Sequence, residues 1–417
     1  MTRSAADAAH GPAATAGLLA SARASYLPMM TSVLALRARL LGFAVAMAAC
    51  GGAARRSVAP VAPATATTAT AATAGDSDDR QWLAVRARYG RMRAVAGAGA
   101  TDRRTDEWRA DFEGGPAIAA ELSRPHMAMA DGAGNVYIAD KEAHAIRKVD
   151  GAGRITTVAG TGRPGPVDDT PGPATARALG DPNGLFVRAD GTLYVLDLDH
   201  GRIRKVATDG TMTTLVTVPG GIAVGRGLWI DGADGDERVL IASGRVIKRW
   251  TAAGGVTDWA TGFVSLGNLA RDGAGRLLVA DRGGNRVYAI ADGGADLDRA
   301  PAAVAIAGDG SAGPGQDGGA ALATALAGVR AVWPAHPADG AGFFAGTHQG
   351  CQLWFIDAAG RAHLFLDGER GAHGGVGEPS STPGKKLSEL RSVTLDAAGN
   401  LLIVDDDRGF VRVVERR

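Results

Sequence analysis

The sequence predicts an all-β protein built as a six-bladed β-propeller. The main observation is an apolar run that ends at an aspartate, with a second apolar run ending nine residues after that aspartate. Four clear copies of the motif have their first run ending at Asp140, Asp197, Asp281 and Asp405. Two weaker copies carry Ser243 and Thr347 at the same point. A hairpin that recurs six times along the chain indicates a repeat architecture.

The first copy indicates that each unit contains four strands. One strand over residues 126–131 precedes the two apolar runs, and another over residues 154–160 follows them. Asp-Gly-Ala-Gly turns at residues 131–134 and 150–153 suit tight hairpins, because glycine readily adopts positive φ. Four antiparallel strands with short turns, in units of roughly 40 to 60 residues, are typical of propeller blades.

An N-terminal strand is predicted to close the ring. The last unit has only three strands before the chain ends at Arg417. Residues 91–97 are similar to the fourth strand of the first unit, so we expect them to form the outer strand of the sixth blade. The propeller would then cover residues 91–417, and closure would remove open sheet edges. The alternative is that residues 91–97 are a stray remnant of a blade.

The repeated motif resembles the NHL repeat. In the first blade it reads Asp-Gly-Ala-Gly-Asn-Val-Tyr-Ile-Ala-Asp over residues 131–140, followed by His-Ala-Ile-Arg-Lys-Val over residues 144–149. The resemblance covers roughly residues 91–417; it is strong in blades 1, 2, 4 and 6 and weak in blades 3 and 5. Because NHL proteins form six-bladed propellers, the resemblance implies the number of blades that the repeat count gives.

The first 50 residues resemble a bacterial lipoprotein signal peptide. Arg39 precedes an apolar stretch at residues 40–49, which is too short to span a bilayer. Two alanines followed by Cys50 are similar to a lipobox, and this implies that Cys50 is lipidated. The expected location is then the cell envelope, with a lipid anchor in the outer membrane, or the protein is secreted. An ordinary cleaved signal peptide with an incidental cysteine is the alternative.

The segments before and after this signal are expected to form little regular structure. Residues 1–29 lengthen the signal unusually, which suggests that they are a mis-assigned start. Residues 51–75, rich in Ala, Thr and Pro, should form a disordered tether because they cannot bury a core. Residues 76–90 form a short connecting segment, in which a helix around Trp82 would pack on the propeller.

Composition excludes some partners. The formal net charge is +1 over 417 residues, so we expect no nucleic-acid partner and membrane contact only through the lipidated N-terminus. Arginine greatly outnumbers lysine, as is typical of bacterial genomes rich in G and C. The two cysteines are Cys50 and Cys351, so lipidation of the first would leave Cys351 as a lone, buried thiol.

The repeated aspartates are predicted to be structural. A catalytic residue is needed once, whereas Asp140, Asp197, Asp281 and Asp405 recur, so we expect each to accept hydrogen bonds from backbone N–H groups of the next turn. His144 and His200 fall in turns on one face, but no metal-binding spacing accompanies them. We therefore predict no catalytic residue, no metal and no cofactor.

The predicted ligand site is at one mouth of the central channel. The innermost strands line this channel, and the loops that precede them carry the long insertions, where binding residues concentrate. Residues at or near the starts of these strands are Arg124, His126, Asn183, Arg226, Asn268, Arg330 and Arg391. Four converging arginines would suit a carboxylate, a phosphate or an acidic glycan. The alternative is that each arginine pairs locally with an aspartate.

Two classes of function follow from these observations. The first is a monomeric, non-enzymatic propeller on the cell envelope that binds a protein or a glycan through its loop-bearing face. The second is a propeller enzyme, such as a metal-dependent lactonase or a lyase, with its site at the same mouth. Such an enzyme would need acidic or histidine ligands from several blades, whereas the strand starts offer mainly Arg and Asn. The sequence therefore favours the binding module.

Overall fold

The computed structural model describes residues 75–99, 108–291, 302–372 and 374–417. The candidate lipidation site Cys50 and the predicted tether up to residue 74 lie outside the described residues. The described part begins with helix α1 (Gly75–Arg88), which leads directly into strand β1 (Tyr89–Ala96). The remaining strands form six small sheets that are arranged as the six blades of a β-propeller.

Blades 1 to 3 follow one another along the chain as antiparallel sheets. Blade 1 contains β2 (Pro125–Ala130), β3 (Val136–Asp140), β4 (Ala145–Val149) and β5 (Ile155–Ala159). Blade 2 contains a short edge strand β6 (Gly172–Pro173), then β7 (Pro182–Val187), β8 (Leu193–Asp197), β9 (Arg202–Val206) and β10 (Thr211–Thr217). Blade 3 contains β11 (Leu228–Asp231), β12 (Arg238–Ser243), β13 (Val246–Thr251) and β14 (Gly255–Ala260).

Blades 4 to 6 complete the ring. Blade 4 contains β15 (Leu266–Arg271), β16 (Leu277–Asp281), β17 (Arg286–Ile290) and β18 (Val304–Ala307). Blade 5 contains a short edge strand β19 (Gly319–Ala320), then β20 (Val329–Pro334), β21 (Gly342–Thr347), β22 (Gln352–Asp357), β23 (Arg361–Gly368) and the short parallel β24 (Lys385–Leu387). Blade 6 contains β25 (Leu390–Leu395), β26 (Leu401–Asp405) and β27 (Phe410–Arg416).

The N-terminal strand closes the ring, as predicted. β1 pairs antiparallel with β27, with Met92 opposite Val414 and Arg93 opposite Val413. It therefore supplies the outer strand of blade 6, whose other three strands come from the C-terminal end of the chain. The pairing covers the outer edge of β27, and β1 becomes the outermost strand of the blade.

The core lies between the blades. In the described part of the chain, buried apolar side chains form six clusters, and each joins two neighbouring blades. Ile138 of blade 1 and Val404 of blade 6 share one of them. The second strands of blades 1, 2, 4 and 6 are buried along their whole length. This burial on both faces explains why they are continuous apolar runs and do not alternate with polar residues.

Helix α1 packs on blade 5. The indole of Trp82 stacks on the imidazole of His363 with 5.0 Å between ring centroids. Val85 is fully buried in the cluster between blades 5 and 6. Short 3₁₀ helices lie at Ala110–Phe112, Ala117–Ala119, Ala174–Ala176, Ala321–Ala323, Pro337–Asp339 and Asp406–Arg408. No helix in the described residues has the length and apolar character needed to cross a membrane.

The strand-ending aspartates hold the loops that precede the first strands, which we call lead-in loops. The donated backbone N–H groups are those of Ser123 to Asp140 (2.6 Å), Gly180 to Asp197 (2.6 Å), Ser265 to Asp281 (2.9 Å) and Glu389 to Asp405 (2.7 Å). The sequence predicts these N–H donors in the turn that follows each aspartate, but they come mainly from the lead-in loop of the same blade. The carboxylates thereby fix the loops that carry the candidate site.

Candidate ligand-binding site

Strand pairing identifies equivalent positions in the first strands of the blades. In each blade, one residue of the first strand pairs with the residue two positions before the end of the second strand. In blade order these first-strand residues are Ala128, Leu185, Leu228, Leu269, Val332 and Val393. The position two residues before each of them along the chain is called the ring position. It is occupied in blade order by His126, Asn183, Arg226, Gly267, Arg330 and Arg391.

Five of the six ring-position residues, all except Gly267, line a cavity of about 570 Å³, which we call the mouth pocket. Six of the seven residues predicted from the sequence line it: Arg124, His126, Asn183, Arg226, Arg330 and Arg391. The seventh, Asn268, does not, because Gly267 holds the ring position of blade 4 and Asn268 lies one residue further along the strand. The same one-residue irregularity of pairing occurs near the start of the first strand in blades 1, 2, 4, 5 and 6. The repeat spacing contains this register, since Gly267 stands 14 residues before Asp281, as His126 stands before Asp140.

Other residues of the mouth pocket were missed in the sequence. They are Lys141, Asp181, Leu198, Asp199, Val224, Arg282, His348, Arg370 and Glu389. Lys141, Leu198, Arg282 and His348 directly follow the last residue of the second strand in their blades. Asp181, Val224 and Glu389 lie two residues before the ring position, as Arg124 does. Position within the repeat therefore predicts most of these residues.

Two of the arginines are neutralised locally. Arg391 lies 2.6 Å from the Asp406 carboxylate and also pairs with Glu389. Arg124 donates to the Glu142 carboxylate at 2.5 Å. The alternative interpretation from the sequence, local pairing with acidic residues, therefore applies to these two side chains.

Arg226 and Arg330 are in a different situation. Both are buried, with 8% and 2% of their surfaces exposed. Nη1 of Arg226 and both Nε and Nη1 of Arg330 have no hydrogen-bond partner among the described residues. Burial, with the nearby guanidinium of Arg391, lowers the pKa of both side chains. Burial thus makes two positive charges unfavourable, yet a guanidinium group stays protonated in proteins. A bound anion would offset the cost of burying these charges.

His126 completes this side of the mouth pocket as a neutral imidazole. Its Nδ1 contacts Oδ1 of Asn183, whose Nδ2 donates to the Gly225 carbonyl at 2.6 Å. Burial, followed by the charge of Arg226, lowers the pKa of His126 well below its usual value. Its Nε2 has no partner in the part of the chain that the structure describes. The site therefore presents a free imidazole nitrogen beside the arginines.

The channel is closed beneath the mouth pocket. Nδ2 of Asn268 lies 3.5 Å from Sδ of Met127, and these residues come from blades 4 and 1, which are opposite in the ring. Three residues beyond the ring position, aromatic side chains fill the other end. The Trp229 ring packs against Phe186 at 5.1 Å and against Trp333 at 5.9 Å. These contacts separate the mouth pocket from the aromatic end of the channel.

The turn histidines considered for a metal are engaged elsewhere. Nδ1 of His144 lies 3.1 Å from the Leu179 carbonyl. His200 contacts the Asp197 carboxylate at 3.0 Å and the Gly165 carbonyl at 3.0 Å. Within the described ranges, no group of three or more His, Cys, Asp or Glu side chains is placed so that it could hold a metal ion. Cys351 is buried, and burial raises its pKa to about 11.

Fold and site together define a six-bladed β-propeller with an arginine-lined pocket at one mouth of its channel. Solved structures share the fold. An auxiliary nutrient binding protein from Bacteroides thetaiotaomicron has a TM-score of 0.56 at 14% identity, over 78% of this chain and 76% of that one. A gluconolactonase from Xanthomonas campestris has a TM-score of 0.50 at 14% identity, over 80% of this chain and 92% of that one. At such identities the likeness is one of fold.

Comparisons of the amino-acid sequence do not assign the chain to a family. No model of a known protein family matches the chain, so the NHL resemblance stays a prediction. The chloroplastic protein SUPPRESSOR OF QUENCHING 1 of Arabidopsis thaliana is 30% identical over 134 residues. That similarity covers 31% of this chain and only 12% of the plant protein.

Proposed function

We propose that this protein is a binding module that holds an anionic ligand, through a carboxylate or phosphate group, in the mouth pocket. The observation that carries the proposal is the pair of buried guanidinium groups of Arg226 and Arg330, whose N–H groups lack acceptors in the described residues. Buried charges are normally paired, because an unpaired one costs several kcal/mol, roughly, in lost solvation. A planar oxyanion is the acceptor that a guanidinium group binds best.

The rest of the mouth pocket supports a ligand of this kind. Arg282 also lines it, so three arginines from blades 3, 4 and 5 face the same space without a carboxylate partner in the described part of the chain. The acidic residues nearest the arginines, Glu389 and Asp406, are engaged with Arg391. Asp181 also lines the pocket and pairs with Lys141. Asp199 is one carboxylate against the three arginines, so an anion of a few atoms would still meet an excess of positive charge.

The proposal is tested by calorimetric titration of the protein with inorganic phosphate, acetate, succinate and gluconate. At least one of these anions should bind saturably, with an affinity that falls as salt is added. Arg226→Gln and Arg330→Gln should each weaken binding by about tenfold or more, because each removes a charge-assisted hydrogen bond. Arg276→Gln is the matched control, because Arg276 pairs with Asp272 and lies outside the mouth pocket. Absence of saturable binding, or binding indifferent to Arg226 and Arg330, would contradict the proposal.

We also propose that the propeller is anchored to the bacterial cell envelope through a lipidated Cys50. The support is the arginine, apolar stretch and cysteine at residues 37–50, in the order that lipoprotein signals have. In a bacterial host, metabolic labelling with a fatty-acid analogue should mark the protein and place it in the membrane fraction. Cys50→Ser should abolish the label. A soluble, unlabelled protein with the native sequence would contradict this second proposal.

An enzyme is a second candidate, and the free Nε2 of His126 is the observation in its favour. A neutral imidazole beside groups that stabilise an oxyanion can accept a proton in general-base catalysis, but the lowered pKa of His126 makes it a weak base. The candidate predicts turnover of a lactone or ester panel that His126→Gln abolishes while anion binding persists. Binding without turnover in that panel would leave the binding module as the better account.

A further inference from the structure

A groove between blades 2 and 3 continues the mouth pocket. It has a volume of about 550 Å³, and Leu198 and Asp199 line both cavities. The remaining lining residues are Pro219, Gly220, Gly221, Ile222, Ala223, Ser243, Val246 and Lys248. We call it the side groove. A ligand held by the arginines could therefore extend from the mouth pocket into this second space.

The side groove exposes polar and apolar surface in about equal parts. Leu198, Pro219, Ile222 and Val246 contribute its larger apolar side chains. Two of its polar side chains are engaged, since Lys248 Nζ donates to Asp258 at 2.6 Å and Ser243 accepts a hydrogen bond from the Ala223 N–H at 2.9 Å. Apolar side chains of a ligand would displace water from the apolar part of the groove.

Two glycines leave one wall of the side groove open. Gly220 and Gly221 have φ of +75° and +80°, and a side chain built on either would meet no atom within 4 Å. The backbone at this point is therefore uncovered. Beside the mouth pocket, Val224 adds an apolar side chain that is 66% exposed.

Asp199 lies where the two cavities meet. Its carboxylate forms no hydrogen bond or ion pair within the described residues, and burial with the neighbouring Asp181 raises its pKa. An N–H donor of a ligand would find an acceptor here. The surface thus presents, in spatial order, buried cations, one carboxylate without a partner among the described residues, and a groove with apolar side chains.

We propose that the ligand is the carboxyl-terminal end of a peptide or protein. Its terminal carboxylate would pair with Arg226 and Arg330, its last N–H would donate to Asp199, and its last apolar side chains would occupy the side groove. Capture of a terminal carboxylate combined with side-chain pockets is a known mode of peptide recognition. In the described residues, neither cavity is lined by an aromatic side chain on which a sugar ring would stack. This inference rests on the proposed anion-binding function.

The first test compares peptides that differ only at the carboxyl group. N-acetylated tetrapeptides with Leu, Val or Phe at the last two positions are titrated as free acids and as terminal amides. The free acids should bind at least tenfold more tightly than the amides, and more tightly than acetate. Equal affinity of acid and amide would overturn the inference.

The second test separates the two cavities. Val246→Gln and Asp199→Ala should each weaken peptide binding by about fivefold or more. Acetate binding should be unchanged in Val246→Gln, which lies outside the mouth pocket, and should not weaken in Asp199→Ala, which removes a negative charge from that pocket. Val304→Gln, at a valine of blade 4 that is 61% exposed and lines neither cavity, is the matched control. Loss of affinity for acetate as well would place these residues in the anion site and overturn the division.

The outcomes also distinguish the inference from the function on which it rests. If gluconate or another sugar acid binds in an arginine-dependent manner and no peptide does, the anion-binding function stands and the peptide inference fails. If neither acetate, phosphate, sugar acids nor peptides bind, both fail.

Discussion

The two ends of the central channel are built from the same six strands and yet have opposite character. At the mouth, the ring position holds His126, Asn183 and three arginines. Three residues further along, the strands of blades 2, 3 and 5 place Phe186, Trp229 and Trp333 in mutual contact. The aromatic end stabilises the ring, because large side chains pack there. The mouth leaves charges buried and unpaired, which costs stability and is a mark of a functional site.

A second contrast lies within the mouth itself. Arg391 has carboxylate partners, whereas Arg330 has N–H groups with none among the described residues. Both are buried arginines at the same position of their blades. Composition and position are alike, so the difference comes only from what surrounds each guanidinium group. Substitutions at the aromatic end, at Arg391 and at Arg330 should therefore change the free energy of unfolding by different amounts and with different signs.

The largest effect is expected at the aromatic end. Trp229→Ala removes the ring that packs between Phe186 and Trp333 and the N–H that donates to Asp231 at 2.9 Å. We expect the free energy of unfolding to fall by about 3 kcal/mol, as measured by urea denaturation. Affinity for the anion probe should not change. A loss of affinity at unchanged stability would show that the two ends are not separable.

The next effect is expected at the paired arginine. Arg391→Met leaves the carboxylates of Glu389 and Asp406 with fewer cations around them, although other residues near them compensate in part. We expect the free energy of unfolding to fall by about 2 kcal/mol. The same denaturation experiment checks this. Unchanged stability would mean that the neighbouring Arg124 and Arg370 take over the ion pairs of Arg391 with Asp406 and Glu389.

Arg330→Met should have the opposite sign. It removes a buried charge that lacks acceptors and leaves no carboxylate behind, so the unliganded protein should gain about 1 kcal/mol in its free energy of unfolding. Stabilisation by the anion should be lost in the same variant. The comparison with Arg391→Met in one denaturation series is the control. A destabilised Arg330→Met protein would show that the guanidinium group already has a structural role.

Much of the fold was predictable because it depends on a repeated local pattern. The apolar runs ending at Asp140, Asp197, Asp281 and Asp405 identified the second strands, and the similarity of residues 91–97 to a fourth strand identified the closure. These predictions needed only periodicity and turn chemistry, which are local properties.

The site was predictable only in outline. Position in the repeat brought Arg226, Arg330 and Arg391 to one mouth, but it could not show which of them has a carboxylate partner. That depends on Glu389 and Asp406, which reach Arg391 through loop conformation. The error at Asn268 has a different origin, since the repeat spacing places Gly267, and not Asn268, 14 residues before Asp281, as it places His126 before Asp140. Side-chain pairing is a tertiary property, and the repeat pattern does not determine it.

The smallest effect is expected from His348, which faces the same arginines. Burial, followed by the charges of Arg330 and Arg391, lowers the pKa of His348 to about 2. Below the unfolded pKa of about 6.5, the unfolded chain binds a proton that the folded protein excludes, so His348 makes stability fall as the pH decreases from 6.5. Complete exclusion of one proton would change the free energy of unfolding by roughly 1.4 kcal/mol between pH 7.5 and pH 5.5. The Glu389 carboxylate lies 3.2 Å from Nδ1 of His348 and favours the protonated form, so we expect His348→Gln to reduce the loss of unfolding free energy by less than about 1 kcal/mol.

The control for this prediction is His336→Gln, because His336 is half-buried in the loop after β20 and does not line the mouth pocket. Urea denaturation of the three proteins at both pH values gives the comparison. A bound anion offsets the positive charge around His348, so saturating ligand should shrink the difference between wild type and His348→Gln. If the ligand leaves that difference unchanged, the anion does not lie among these arginines, and the contrast between the two ends of the channel must be explained without a ligand.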